Sequence, residues 1–166
     1  MKYEGQISEN FSWEEFQRSS KAEELGIDNN IPDESIASQV RSLVVTVLQP
    51  LRSAFGKPLH INSGYRCPAL NKALKGAKNS QHTKGQAADI ASDNPHGLAE
   101  LVLQKKLSFD QMILYSTFVH ISHKHPGPQR GVVLYDEGYE GERKLSEKNN
   151  IFARPNVDLS TNIDQI

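Results

Sequence analysis

The sequence predicts an α+β domain in which helices pack on an antiparallel sheet. Two patterns and their order carry this expectation. A long apolar stripe at helical spacing runs through the first third of the chain. Short alternating or β-branched runs, separated by turn formers and one further helix pattern, follow it. Helices first and then strands mixed with helices is the arrangement of α+β rather than doubly wound architecture.

The elements read in order as follows. "SENFSWEEFQRSSKAEELG" reads as one or two short helices, with Ser12 as an N-cap and Glu15 three residues on, a capping box. Phe11 and Phe16 flank that start as a hydrophobic staple. "GIDNNIPDESI" is a connector of turn formers. From Asp33 to Phe55, the residues Ile36, Val40, Leu43, Val44, Val47, Leu48, Leu51 and Phe55 share one helical face, with a kink expected at Pro50. "PLHINSGYR" is a short strand ending at Ser63-Gly64, a helix spans about Pro68 to Leu74, and "KGAKNSQHTKG" is a polar loop. "QAADIAS" reads as a buried strand and "PHGLAELVLQKKL" as an amphipathic helix. "FDQMILYSTFVHISHK" reads as two strands joined by a tight turn near Ser116, and "RGVVLYDE" as another strand. These elements give one domain over residues 1–137, followed by a polar, irregular extension over 138–166.

Composition removes several function classes. The 166 residues carry a formal net charge of −1, with 37% hydrophobic and 23% charged residues, which is ordinary globular usage without the basic excess of a nucleic-acid binder. A single cysteine, Cys67, excludes an internal disulfide framework. No run approaches the ~20 apolar residues of a membrane span. The start "MKYEGQISENFSWEEF" lacks an apolar segment behind basic residues, so no secretory signal is read and cytoplasmic synthesis is expected.

The chemistry concentrates in "NSQHTKGQAADIAS" and "FVHIS". Strand alternation puts Ala87, Asp89 and Ala91 on one face, opposite Ala88 and Ile90. It likewise puts Phe118, His120 and Ser122 opposite Val119 and Ile121. If the two strands adjoin, His82, Asp89 and His120 converge. Two imidazoles and a carboxylate form a three-ligand set suited to catalytic zinc, with a position left open. Spacing alone leaves the ordinary alternative standing, because such histidines are often satisfied core or surface groups.

Longer motifs add to this. "SQHTKGQAAD" fits Ser-x-His-x-x-Gly-x-Ala-x-Asp, with Ser80, His82, Gly85, Ala87 and Asp89 in place. "SGYRCPALN" and "FDQMILYSTFVHIS" fit the segments that precede and follow that motif in the same order. From roughly Phe11 to Ser122 the chain resembles the M15 family of zinc D-Ala-D-Ala peptidases, whose fold is shared with the hedgehog signalling domain. The resemblance implies that His82, Asp89 and His120 ligate Zn²⁺, that Arg66 holds substrate beside the cleft, and that Ser80 supports the site. It implies hydrolysis of D-amino-acid-containing peptidoglycan stem peptides or cross-links by a carboxypeptidase or endopeptidase. With no secretory signal read, a phage-type lysin that acts on the wall after release or export is expected.

One position departs from the pattern. Aligned through "FDQMI", the place where many relatives carry a catalytic carboxylate falls on Tyr115, and the residue three before His120 is Thr117. Asp110 is the nearest upstream acid, with capping or structural pairing as its alternative role. Tyr115 and Asp110 are therefore the candidate proton-handling groups. Loss of a carboxylate base costs ~10²–10⁴-fold in rate. That cost keeps a second reading in view, a zinc-binding module for wall peptides or proteins with weak or no hydrolysis.

Overall fold

A computed structural model describes residues 2–145 together with the backbone of residues 157–158. The chain opens with a small antiparallel pair, β1 (Gln6–Ser8) and β2 (Phe11–Ser12), where helix alone was expected. Two short helices follow, α1 (Trp13–Gln17) and α2 (Ser20–Leu25). Glu15 accepts the Ser12 backbone N–H at 2.7 Å, as a capping box requires, and Phe11 lies 6.4 Å from Phe16 between ring centroids.

The long apolar stripe forms α3 (Glu34–Leu43), a π-helical stretch over Val44–Leu48, and α4 (Gln49–Phe55). The backbone stays right-handed throughout, and the Gln49 N–H reaches back to the Val44 carbonyl. Pro50 thus marks a widened turn: it has no N–H to return to the preceding turn, and a five-residue hydrogen bond beside it accommodates the loss. Val40, Leu43, Val44, Val47, Leu48 and Leu51 are buried along the inner face, as the stripe predicts.

The remaining elements are β3 (Ile61–Ser63), α5 (Pro68–Ala73), a 3₁₀ turn over Gln81–Lys84, β4 (Ala87–Ala91), α6 (Pro95–Gln104), β5 (Gln111–Leu114), β6 (Phe118–Ser122), β7 (Val132–Tyr135) and β8 (Val157–Asp158). The large sheet runs β3-β4-β6-β5-β7-β8. The first three pairings are antiparallel, and β5-β7 and β7-β8 are parallel, so the sheet is mixed at one edge. The parallel edge arises because residues 123–131 carry the chain back along β6, so that β7 starts beside the start of β5.

One face of this sheet carries Ala88, Ile90, Met112, Leu114, Val119 and Ile121, which join the helical stripe in the main core. The other face carries the polar residues of interest. Tyr139 and Leu145, beyond the expected domain end at 137, are buried in the same core. Most of the expected polar extension, residues 146–156 and 159–166, lies outside the described residues. Among the described residues, no helix is long and apolar enough to cross a membrane.

Candidate metal centre

Strand register brings two of the expected ligands together. Asp89 on β4 is the direct partner of His120 on β6, and Ser63 on β3 pairs with Asp89 from the other side. The alternation that sinks Ala88, Ile90, Val119 and Ile121 into the core therefore turns Asp89 and His120 onto one shared face.

His82 arrives on the 3₁₀ turn, which is pinned at both ends. The Ser80 hydroxyl accepts the His82 N–H at 3.2 Å, and the His82 carbonyl accepts the Arg66 N–H at 3.1 Å. Gly85 closes the turn at φ 73°, and a Cβ there would sit 2.9 Å from the Ile36 carbonyl on α3. Only glycine satisfies both constraints.

The three side chains are buried, and one ligand atom from each lies within 4.8 Å of the others. Asp89 Oδ1 is 3.2 Å from His82 Nε2 and 2.9 Å from His120 Nδ1, while Asp89 Oδ2 is 3.2 Å from Arg66 Nη2. His82 Nδ1 lies 2.7 Å from the Gly64 carbonyl. A carbonyl only accepts, so Nδ1 carries the proton, and Nε2 presents a lone pair to a carboxylate oxygen. Burial is the largest influence on His82 and lowers its pKa against the pull of Asp89, which keeps the ring neutral. Burial also acts to raise the Asp89 carboxyl, but the charge that His82 or His120 carries when protonated, with the hydrogen bond from His120, outweighs it and holds the carboxyl below the usual carboxylate range.

Two buried acceptors facing each other repel unless a cation lies between them. The donor set of two imidazole nitrogens and one carboxylate, with an outer carbonyl fixing the His82 tautomer, fits a zinc ion.

The cluster forms part of a cleft of about 220 Å³. That is smaller than the ~300–1,000 Å³ of sites enclosing whole drug-sized ligands, so it suits the reacting part of a larger chain. Arg66 lines it, held by Ser63 Oγ at 2.9 Å as well as by Asp89. Ser80 lines it too, beneath the His82 turn. Tyr115 reaches the cleft from the end of β5 and stacks on Phe118, with ring centroids 4.1 Å apart. Burial, reinforced by the Asp89 charge, pushes the Tyr115 hydroxyl up to about 12.

Asp110 is placed differently. Its fully buried carboxylate accepts from Arg130 at 2.7 Å and from Gln81 at 3.1 Å, with Lys124 at 3.4 Å, and it is not among the residues lining the cleft. Its neighbours make it an anchor for the β6–β7 loop and for the Gln81 amide. The other histidines stay apart from the cluster: His60 and His125 are exposed, His96 neighbours Glu100 and Glu142, and His123 is buried against the Ser108 carbonyl.

Gln81, Gln111 and Lys75 also line the cleft and were not singled out from the sequence. Alternation along β5 was the available signal for Gln111, since residues 111, 113 and 115 share the face of His120.

A mixed sheet under a helical layer thus carries, in a cleft on its polar face, a His-Asp-His cluster able to hold a metal ion. The family model for peptidase M15 matches residues 9–122, well over half of the chain and every site residue above. The chain belongs to the M15 peptidase family. It is also 31% identical over 94 residues to the zinc D-Ala-D-Ala carboxypeptidase of Streptomyces albus G, across 55% of this chain and 37% of that protein. The matched segment thus spans little more than a third of that curated relative.

Proposed function

We propose that the protein is a zinc-dependent peptidase that hydrolyses peptide bonds in the D-amino-acid-containing stem peptides or cross-links of peptidoglycan. His82, Asp89 and His120 would hold the metal. The observation that carries this reading is the buried pair of acceptors, His82 Nε2 and Asp89 Oδ1, facing each other 3.2 Å apart. The name of the Streptomyces relative supports the substrate class.

When bound, zinc acts as a Lewis acid on a carbonyl oxygen and on water. The chain's own residues do the rest. Arg66, oriented by Ser63 and Asp89, offers its planar fork to a carboxylate or carbonyl oxygen of the peptide. Tyr115 keeps its proton through the physiological range, so its hydroxyl donates a hydrogen bond to an oxygen on which charge develops. Ser80 holds the turn that presents His82. Hydrolytic release of a single terminal D-alanine and hydrolytic scission of a cross-link are both consistent with this site, and product mass separates them.

One observation favours a second reading. Among the described residues lining the cleft, Asp89 is the sole carboxylate, so no acidic side chain stands free to act as base. A zinc-holding module that binds wall peptides or proteins without cutting them fits that feature. Incubation of zinc-loaded protein with purified peptidoglycan, with a chelator-treated control, decides between the two. New stem-peptide fragments that disappear on chelation establish the peptidase and identify the bond. Intact peptidoglycan from several wall types, despite bound zinc, rules out the peptidase and leaves the binding module.

A further inference from the structure

Lys75 is held at the cleft in a conformation that suits a different residue. It follows the end of α5 with φ 56°, a left-handed position where glycine carries the least strain. The Lys75 N–H donates to the Lys72 carbonyl at 3.1 Å and the Gly76 N–H to the Asn71 carbonyl at 2.9 Å, the paired bonds of a Schellman cap. Gly76 in turn leaves no room for a side chain: a Cβ there would meet Asn71 Oδ1 at 2.1 Å and Arg66 Nη1 at 3.2 Å. The loop is thereby pressed onto Arg66, and Lys75, Gly76 and Ala77 line the same cleft as the metal cluster. Lys106 takes the same left-handed cap at φ 53° away from the cleft, so it is the place of Lys75 beside the metal cluster, and not the backbone alone, that points to use of its charge.

The charge distribution supports that use independently. Residues 35–88 contain eight lysines and arginines and no aspartate or glutamate, although the whole chain is nearly neutral. Lys72, Lys75, Lys78 and Lys84 are all exposed. Among the described residues, none of these four forms a salt bridge, whereas Arg66 is already paired with Asp89. Lys72 and Lys78 line a second cavity that shares Gly76 with the cleft. One side of the cleft therefore carries uncompensated positive charge, which concentrates anionic groups there.

We propose that Lys75, backed by Lys72 and Lys78, binds a free carboxylate of the peptide in the cleft. The protein then selects stem peptides with a free side carboxylate over the same peptides carrying a carboxamide. This rests on the peptidase reading above and narrows its substrate class. An ammonium–carboxylate contact is a charge-assisted hydrogen bond, and amidation removes the charge while leaving size and shape almost unchanged.

The test compares L-Ala-γ-D-Glu-L-Lys-D-Ala-D-Ala with its D-isoglutamine analogue, reading binding by fluorescence anisotropy and cleavage by product mass. Zinc-loaded wild type, Lys75→Gly and Lys78→Gln are assayed side by side. Lys75→Gly suits the left-handed backbone, so a folded protein without the cation is available. The free-carboxylate peptide is expected to bind about fivefold more tightly in low salt, with the preference shrinking at high salt and in Lys75→Gly. Equal binding of both peptides, or a preference unchanged in Lys75→Gly, overturns the selectivity while cleavage leaves the peptidase reading intact. Absence of binding and cleavage for both peptides overturns the selectivity, and the chelator-controlled peptidoglycan digest then decides the peptidase reading separately.

Discussion

Asp89 and His120 are direct cross-strand partners on β4 and β6, with Asp89 Oδ1 2.9 Å from His120 Nδ1. Sheet register, which one face of buried aliphatic residues enforces, therefore sets two of the three proposed ligands. His82 joins them through a turn tied to Ser80, Arg66 and Gly64. Fold stability and metal affinity are coupled through that geometry.

Zinc should raise thermal stability. At about 100 times its Kd, a ligand of the folded state adds about 2.7 kcal/mol. For a chain of this size that is a rise of roughly 5–10 °C in Tm. Asp89→Asn is expected to lose most of that rise while melting within about 4 °C of wild type without metal, because its amide can donate to His82 Nε2 where the carboxylate only accepts. Melts with and without zinc check both statements.

Tyr115→Glu should raise hydrolysis by up to about 10²–10⁴-fold, since it places a carboxylate at the cleft without touching a ligand. The wild-type hydroxyl, pushed up to about 12, stays protonated from pH 6 to pH 10 and adds no limb to the rate profile there. The glutamate variant should acquire an acid limb, with rate rising as pH climbs through its pKa, because a base works only when ionised. Rate against pH for both proteins is the readout.

Asp110 contributes to stability through its ionised form. Burial acts to raise its pKa, but hydrogen bonds and charge from Arg130, with the Gln81 hydrogen bond, outweigh it and lower the value. A carboxyl with a lowered folded pKa stabilises fully above its unfolded value of about 3.9, and that contribution is lost as pH falls through the folded value. Asp110→Asn should therefore cost about 1.5–3 kcal/mol at pH 7, with the gap to wild type narrowing below about pH 4. Zinc content should stay at the wild-type level, which separates an anchoring role from a ligand role. Denaturant titrations across pH, with metal analysis, measure this.

Gly85→Ala should destabilise the fold by about 2 kcal/mol or more. It combines a left-handed backbone with a Cβ 2.9 Å from the Ile36 carbonyl. Relief of that contact shifts the His82 turn, so zinc affinity should fall alongside stability. Urea unfolding and competitive zinc titration report the two losses.

Much of the site was legible because it follows period-two strands. Alternation placed Asp89 and His120 opposite the aliphatic core positions, and the motif around His82 supplied the third residue. The helical stripe ending at Phe55 was equally plain. Other features depend on contacts that a local pattern does not encode. β1 and β2 are three and two residues long, too short for periodicity to declare. Pro50 announces a disturbance, but whether the helix kinks or widens is decided by the packing of Val44, Val47 and Leu48. The parallel edge depends on the path of residues 123–131. The pairing of Asp110 with Arg130 joins residues twenty apart, so an acid that looks available in the sequence is already engaged in the fold.

Metal content per chain, measured by elemental analysis after dialysis against trace zinc, is the measurement to make first. Wild type should retain about one zinc, and Asp89→Ala and His120→Ala should retain little while remaining folded. A folded wild type without zinc, or variants that hold as much as wild type, would contradict a metal centre built from His82, Asp89 and His120.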